Sequence, residues 1–254
     1  MTEWTVIAVL AIVMLGGLVK GFSGFGPSLV LGGLLLLFYD PVTIVPVLAL
    51  LSFTMNTFIL VEQWKRTRHD PASFAFRPET LVALLVGTAI GVQALVALPV
   101  GVVKVVFGLL IVTFIALYFK QPRFMTRTRV SARLQHGVVG LVAGFFSGLI
   151  NTNGPPIVLY GLYRRLDKNR FLGVITRFFL VADALAIGLF AVKGLYGAEQ
   201  WSYFLWFIPV ALAGFLIGKG VRLKASEKAF HQAVVAFLLL IAVKTVADGV
   251  ALIA

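Results

Sequence analysis

The sequence predicts an all-α integral membrane protein made of two inverted repeats, each a re-entrant or broken helical hairpin followed by three transmembrane helices. Composition, the lengths of the apolar segments and the placement of basic residues lead to this prediction. The chain has 254 residues, of which 60% are hydrophobic and 13% are charged, and its mean hydropathy is +1.00. Soluble domains have about 45–50% apolar and about 25% charged residues, so the bilayer is the predicted solvent.

The composition also limits the chemistry. The chain has no cysteine, which excludes disulfides, thiol catalysis and cysteine metal sites. Its three histidines lie in or beside basic loops without the spacing of metal ligands, and neither a metal nor another cofactor is expected. The net charge of +12 fits cytoplasmic loops rich in Lys and Arg, so no nucleic-acid partner is expected.

Six apolar segments are long enough to cross a bilayer as helices. A transmembrane helix needs about 20 apolar residues to span a hydrocarbon core of about 30 Å. The segments that meet this requirement are 41–61, 80–98, 100–119, 171–192, 202–220 and 229–254. Loops rich in charged or turn-forming residues separate most of them, which predicts six separate spans.

Two further apolar regions are interrupted by polar and glycine-rich residues. The first comprises residues 4–19, an interruption at 20–26 and a return leg at 27–38. The second comprises residues 137–150, an interruption at 151–154 and a return leg at 155–163. At about 1.5 Å per residue, the return legs are about 18 Å and 14 Å long and cannot cross the membrane. We therefore expect hairpins with tips inside the membrane, where non-helical backbone must be buried in protein or line a cavity.

The basic residues support this topology. We assume that each hairpin leaves the membrane on the side from which it entered and that both termini lie outside. Sixteen of the 22 Lys and Arg residues then fall in four inside segments. These segments are 62–79, 120–135, 164–170 and 221–228. The expected location is the inner membrane of a bacterial cell, as a multi-pass protein.

The order of hairpin and three spans occurs twice. The predicted division is a first membrane repeat at 1–119, a basic cytoplasmic linker at 120–135 and a second membrane repeat at 136–254. Because three spans separate the hairpins, the repeats have opposite orientations in the membrane. Glycine- and proline-interrupted segments at corresponding positions of two halves are a sequence indication of a transporter's binding site.

Each interruption ends in glycine and proline, at Gly26-Pro27 and at Gly154-Pro155. Proline favours the first helical position, so each tip is expected to present the N-terminus of a half-helix. Such ends carry about half a positive charge and unpaired N–H donors, which attract anions. The candidate substrate-binding residues at the tips are Gly24, Phe25, Gly26, Ser28, Ser147, Asn151, Thr152, Asn153 and Gly154.

Ionisable residues within the spans are further candidates. A charge inside a membrane is energetically costly, so the charged residues that occur there usually have a function. Lys20 at the first tip and Arg177 are expected to bind an anionic substrate, although Lys20 could instead extend to the membrane surface. Asp183 could pair with a cation or carry a coupling proton. Asn56 is expected at the position equivalent to Asp183 in the first repeat, and it completes the predicted binding residues.

The motifs at 21–27 (GFSGFGP) and 144–156 (GFFSGLINTNGPP) resemble those of the TauE/SafE sulfite exporter family of bacterial membrane proteins. With the repeat layout, the resemblance extends over essentially the whole chain. It implies export or movement of sulfite, sulfoacetate, related organosulfonates or carboxylates, by a membrane transporter and not an enzyme. Asn151, Thr152 and Asn153 depart from the glycine run of the family, and tip residues of this kind are expected to set specificity.

Several readings stay open at the level of sequence. A channel or uniporter for the same anion would share every feature described so far. A cation or metal transporter is less favoured, because Asp183 is the only carboxylate predicted near the middle of the membrane. A membrane-embedded enzyme is disfavoured by the lack of a recognisable nucleophile–base pair or metal motif. A homodimer is compatible with all of these readings.

Overall fold

A computed structural model describes residues 3–23, 27–66, 78–120, 132–154, 156–157, 168–222 and 227–253, and this part of the chain is helical with short connections. Its helices are α1 (Glu3–Ser23), α2 (Pro27–Leu35), α3 (Pro41–Arg66), α4 (Pro78–Ala97), α5 (Val100–Lys120), α6 (Ala132–Ile150), α7 (Lys168–Val192), α8 (Ala198–Arg222) and α9 (Glu227–Ala251). The all-α prediction is confirmed.

Within the described residues, six helices are long and apolar enough to cross a membrane, namely α1, α3, α4, α5, α7 and α8. Five of them coincide with predicted spans, and α9 covers most of the predicted span 229–254. Helix α1 extends past the predicted end of the first leg, through Lys20 to Ser23. Its 21 residues make it about 31 Å long, so it is a potential span as well as the first leg of a hairpin.

The chain reverses direction between α1 and α2. Gly16, seven residues before the end of α1, faces Leu31, four residues after the start of α2, so the two helices pack against each other. Pro27 begins α2, as predicted. Because α2 has nine residues and is about 14 Å long, it cannot cross a membrane. The first interrupted region is therefore a hairpin with one long and one short leg.

The second interruption also ends a helix where expected. Helix α6 stops at Ile150, and Asn151 follows with a φ of 48°. Asparagine adopts this left-handed conformation more readily than most residues other than glycine. The amide of Thr152 donates to the carbonyl of Phe146 (3.0 Å), which closes the helix end. Pro155 and most of the predicted return leg lie outside the described residues.

Several pairs of described helices meet along glycine-lined seams, and the two closest are these. Helix α4 packs against α6, and α1 packs against α8. A side chain at Gly91 would collide with the backbone carbonyl of Phe145, and one at Gly21 would collide with that of Phe215. Glycines four residues apart allow this close approach between membrane helices. Gly21 and Gly148, which lie close to the two interruptions in sequence, both pack against neighbouring helices.

The two seams correspond by a constant shift along the chain. The α4–α6 seam and the α8–α1 seam use equivalent positions, each 127 residues apart: Gly17 and Gly144, Gly21 and Gly148, Gly87 and Gly214, and Gly91 and Gly218. Helices α3 and α7 begin at Pro41 and Lys168, with the same offset. This correspondence supports two structurally equivalent halves. Their opposite orientation and the domain boundaries at 119 and 136 stay predictions.

Candidate functional site

Buried polar residues from both halves meet where α1, α3 and α7 approach the second interruption. Lys20 lies near the end of α1, Asn56 near the middle of α3, and Asp183 near the middle of α7. Lys20 is 1% exposed, and both Asn56 and Asp183 are fully buried. Because apolar residues of α3 occupy the neighbouring positions, these polar groups are enclosed by the hydrophobic core.

Asn56 connects the two charged side chains. The Lys20 ammonium donates to Oδ1 of Asn56 at 2.6 Å, and Nδ2 of Asn56 donates to Oδ2 of Asp183 at 3.0 Å. An amide can do this because it has an acceptor oxygen and a donor nitrogen on one planar group. The contact also places the last turn of α1 beside the middle of α3.

The Asp183 carboxylate has further partners. The Ser52 hydroxyl donates to Oδ2 of Asp183 at 2.7 Å, and Ser52 lies one helical turn before Asn56 on the same face of α3. Nδ2 of Asn153 approaches Oδ1 of Asp183 and Oγ of Ser147, each at 3.5 Å. These last distances are at the long limit for hydrogen bonds, so Asn153 is held loosely compared with Ser52.

The ring of Phe179 links Lys20 to the second tip. The Lys20 ammonium lies 5.3 Å from the centre of this ring, within the range of a cation–π interaction. A side-chain carbon at Gly154 would lie 3.8 Å from the same ring. Lys20 of the first half and Gly154 of the second therefore flank one aromatic side chain.

Asn151 is the unusual residue of the second tip. Asn151 is 1% exposed, and within the described part of the chain neither its amide oxygen nor its amide nitrogen has a hydrogen-bond partner. The adjacent Thr152 is satisfied, because its hydroxyl donates to the carbonyl of Ile150 at 3.1 Å. Buried polar atoms nearly always have a partner, so an amide with neither group paired is a candidate ligand contact.

Tyr196, in the segment between α7 and α8, is a further polar residue near this cluster. Its hydroxyl donates to the carbonyl of Pro46 on α3 at 3.3 Å. Burial raises the pKa of the Tyr196 hydroxyl, and the negative charge of Asp183 raises it further. Tyr196 is thus close enough to experience the charge of the carboxylate.

The structure brings together Lys20, Asn56, Ser147, Asn153 and Asp183 from the predicted set, with Gly154 beside them. Thr152 and Asn151 are buried at the same tip. Ser28 and Arg177 are half-buried and do not take part in the described contacts of the cluster. Gly24, Phe25 and Gly26 lie outside the described residues.

Sequence reasoning missed Ser52, Phe179 and Tyr196. Ser52 and Phe179 each lie four positions before a predicted site residue, Asn56 and Asp183, and therefore face the same side of their helices. That spacing was a usable signal. Tyr196 had no such signal, because its position depends on how the connection after α7 folds back.

The polar contacts described away from the cluster, two ion pairs and one hydrogen bond, are at least partly exposed. Lys244 and Asp248 of α9, four residues apart, form an ion pair at 2.7 Å. Lys219 of α8 pairs with Glu62 near the end of α3, also at 2.7 Å. Lys193, after α7, donates to Gln93 of α4 at 2.8 Å. Because water and lipid headgroups can screen such contacts, they contrast with the enclosed charges of Lys20 and Asp183.

A comparison with protein families matched the description "Sulfite exporter TauE/SafE" over residues 9–245. The matched region includes both interruptions and every residue of the buried cluster. No curated protein and no solved structure matched the chain.

Proposed function

The chain belongs to the sulfite exporter TauE/SafE family, a family of membrane transporters, and we propose that it is a secondary transporter that exports small anions. The proposed substrates are sulfite, sulfoacetate and related organosulfonates or carboxylates. Transport would occur by alternating access between the two repeats, with the anion held between the hairpin tips. The proposed location is the inner membrane of a bacterial cell, with both termini outside.

The observation that carries this proposal is the buried ammonium of Lys20. An ionisable group in a membrane-spanning segment is a functional candidate by default, because removing its charge from water is costly. Lys20 is 1% exposed and holds its charge between the oxygen of Asn56 and the face of Phe179. An ammonium has three donors, and its hydrogen bond to Asn56 uses one of them.

Two further features support an anion as the ligand. Helix α2 begins at Pro27, seven residues after Lys20, and its N-terminus supplies partial positive charge near the same tip. The buried, unpaired amide of Asn151 is available from the other tip. Lys20, Asn151 and the start of α2 are therefore the proposed anion contacts, with Ser147 and Asn153 beside them.

Burial favours a transporter over a channel. Lys20, Asn56, Asn151, Thr152 and Asp183 are each at most 1% exposed, so the cluster is closed to solvent on all sides. A channel needs a continuous path, whereas a transporter passes through a closed state between its two open states.

Sulfite uptake by proteoliposomes containing the purified protein tests this function. We expect uptake above that of protein-free vesicles, and loss of that uptake in Lys20→Met. Lys244→Met is the matched control, because Lys244 lies on the long helix α9 but is exposed and outside the cluster. Since an unpaired Asp183 could destabilise Lys20→Met, a thermal-shift measurement with sulfite on the wild type gives an independent reading. Absence of both wild-type uptake and wild-type thermal shift would reject the proposal for sulfite.

A further inference from the structure

We propose that the site binds a singly charged anion together with one proton, carried by Asp183, so that both cross the membrane without net charge. This inference rests on the proposed anion transport and specifies its coupling. The proton adds to the Asp183 carboxylate when the anion binds beside Lys20, and it leaves to water when the anion is released on the other side.

The inference begins with the charges that the structure encloses. Among the described residues, Lys20 and Asp183 are the only buried side chains that ionise to full charges. The positive group comes from the first half of the chain and the negative group from the second. Asn56 joins them by hydrogen bonds of 2.6 and 3.0 Å, so their charges are balanced without direct contact.

The balance changes when a ligand enters. With Lys20 and Asp183 both charged, the empty site is neutral, and adding a monoanion leaves one uncompensated negative charge in a medium of low polarity. Such a charge costs several kcal/mol even after relaxation of the protein. Adding a proton to Asp183 restores neutrality. The low-energy closed states are therefore the empty site and the site holding both anion and proton.

This pair of states defines the direction of coupling. A proton antiporter would close with the anion alone or with the proton alone, and those sites carry one negative or one positive charge. Each of these two sites would bury an uncompensated charge, which the site holding both anion and proton avoids. Anion and proton are therefore expected to travel together, and among the proposed substrates the singly charged forms are expected to be transported in preference to the doubly charged ones.

The groups around Asp183 are consistent with its role as the proton carrier. Ser52 and Asn56 face it from α3, Lys20 faces it from α1, and Asn153 faces it from the second tip. Tyr196, from the segment after α7, is a further titratable group near it in the described part of the chain. Arg177, on its own helix, precedes it by almost two turns. Ser52 and Asn153 can each turn a lone pair toward a protonated carboxyl, so the site tolerates both forms.

The test measures sulfite movement in proteoliposomes containing the full-length protein, with a potassium gradient and valinomycin to set the membrane potential. Protein-free vesicles give the background. We expect net sulfite uptake to be unaffected by the sign of the potential and to acidify the lumen. Net uptake that follows the potential would overturn the inference. A wild type that moves no sulfite would instead reject the underlying function, so the two failures are distinguishable.

Asp183→Asn provides a second test, since an amide resembles the protonated carboxyl. The loaded site of this variant is neutral but its empty site carries the charge of Lys20. We expect exchange of internal for external sulfite to persist, while net uptake falls about 100-fold. The control is Asp248→Asn, an exposed carboxylate on α9. Unchanged net uptake in Asp183→Asn would overturn the inference, and the voltage experiment decides if this variant does not fold.

Discussion

At the scale of single residues, Asn151 combines two roles that can be separated. Its φ of 48° ends α6, and its buried amide has no partner. The backbone role needs a residue that tolerates the left-handed region, and the proposed ligand role needs the amide. Glycine meets the first requirement and not the second.

We therefore predict that Asn151→Gly folds with a melting temperature close to that of the wild type but binds sulfite at least about tenfold more weakly. Asn151→Val should also lose stability, because a β-branched residue is strained at this φ. Thermal melting in detergent and the shift produced by sulfite measure the two effects. Equal sulfite binding by Asn151→Gly and the wild type would remove the side chain from the site.

The central residues were predictable from chemistry alone. Lys20 and Asp183 stand out because charges are rare in apolar segments, and Asn56 was expected at the equivalent position. The offset of 127 residues between Asn56 and Asp183 equals the offset between equivalent glycines of the two seams. Arg177 met the same criterion of charge within a span, and its role in binding stays a prediction.

At the scale of elements, the glycine seams determine which helices are neighbours. The lengths of apolar segments predicted where helices occur, whereas the pairing of α4 with α6 and of α1 with α8 needed the structure. Membrane helices have no hydrophobic force that selects partners, so small residues and close packing do so. Uniformly apolar helices conceal these faces from periodicity analysis.

A pair of alanine substitutions tests the seams. Gly91→Ala should destabilise the protein by about 1–3 kcal/mol, because its side chain would meet the backbone of Phe145. Gly188→Ala is the control, since no atom lies near that position, and it should be neutral or stabilising by up to about 1 kcal/mol through helix propensity. Thermal melting in detergent gives the comparison. Equal melting of the two variants would contradict close packing at Gly91.

At the scale of the whole molecule, the predicted topology can be tested with introduced cysteines, because the chain has none of its own. We expect Met125→Cys and Asp167→Cys to react with an impermeant thiol reagent from the same side of the membrane. Ala198→Cys should react from the opposite side. Labelling of intact cells and of inverted vesicles makes the comparison. Reaction of the first two residues from different sides would refute the inverted arrangement of the halves.

The two halves are equivalent in their framework, but they differ in the charged residues at equivalent positions. Under the shift of 127 residues, Lys20 corresponds to Ser147, and Asn56 corresponds to Asp183, so the frameworks match while the charges do not. The first half contributes the buried cation, Lys20, and the second half contributes the buried anion, Asp183. A rocking movement that separates the halves would therefore increase the distance between Lys20 and Asp183 and weaken their attraction. A substrate anion bound beside Lys20 would compensate for this lost attraction.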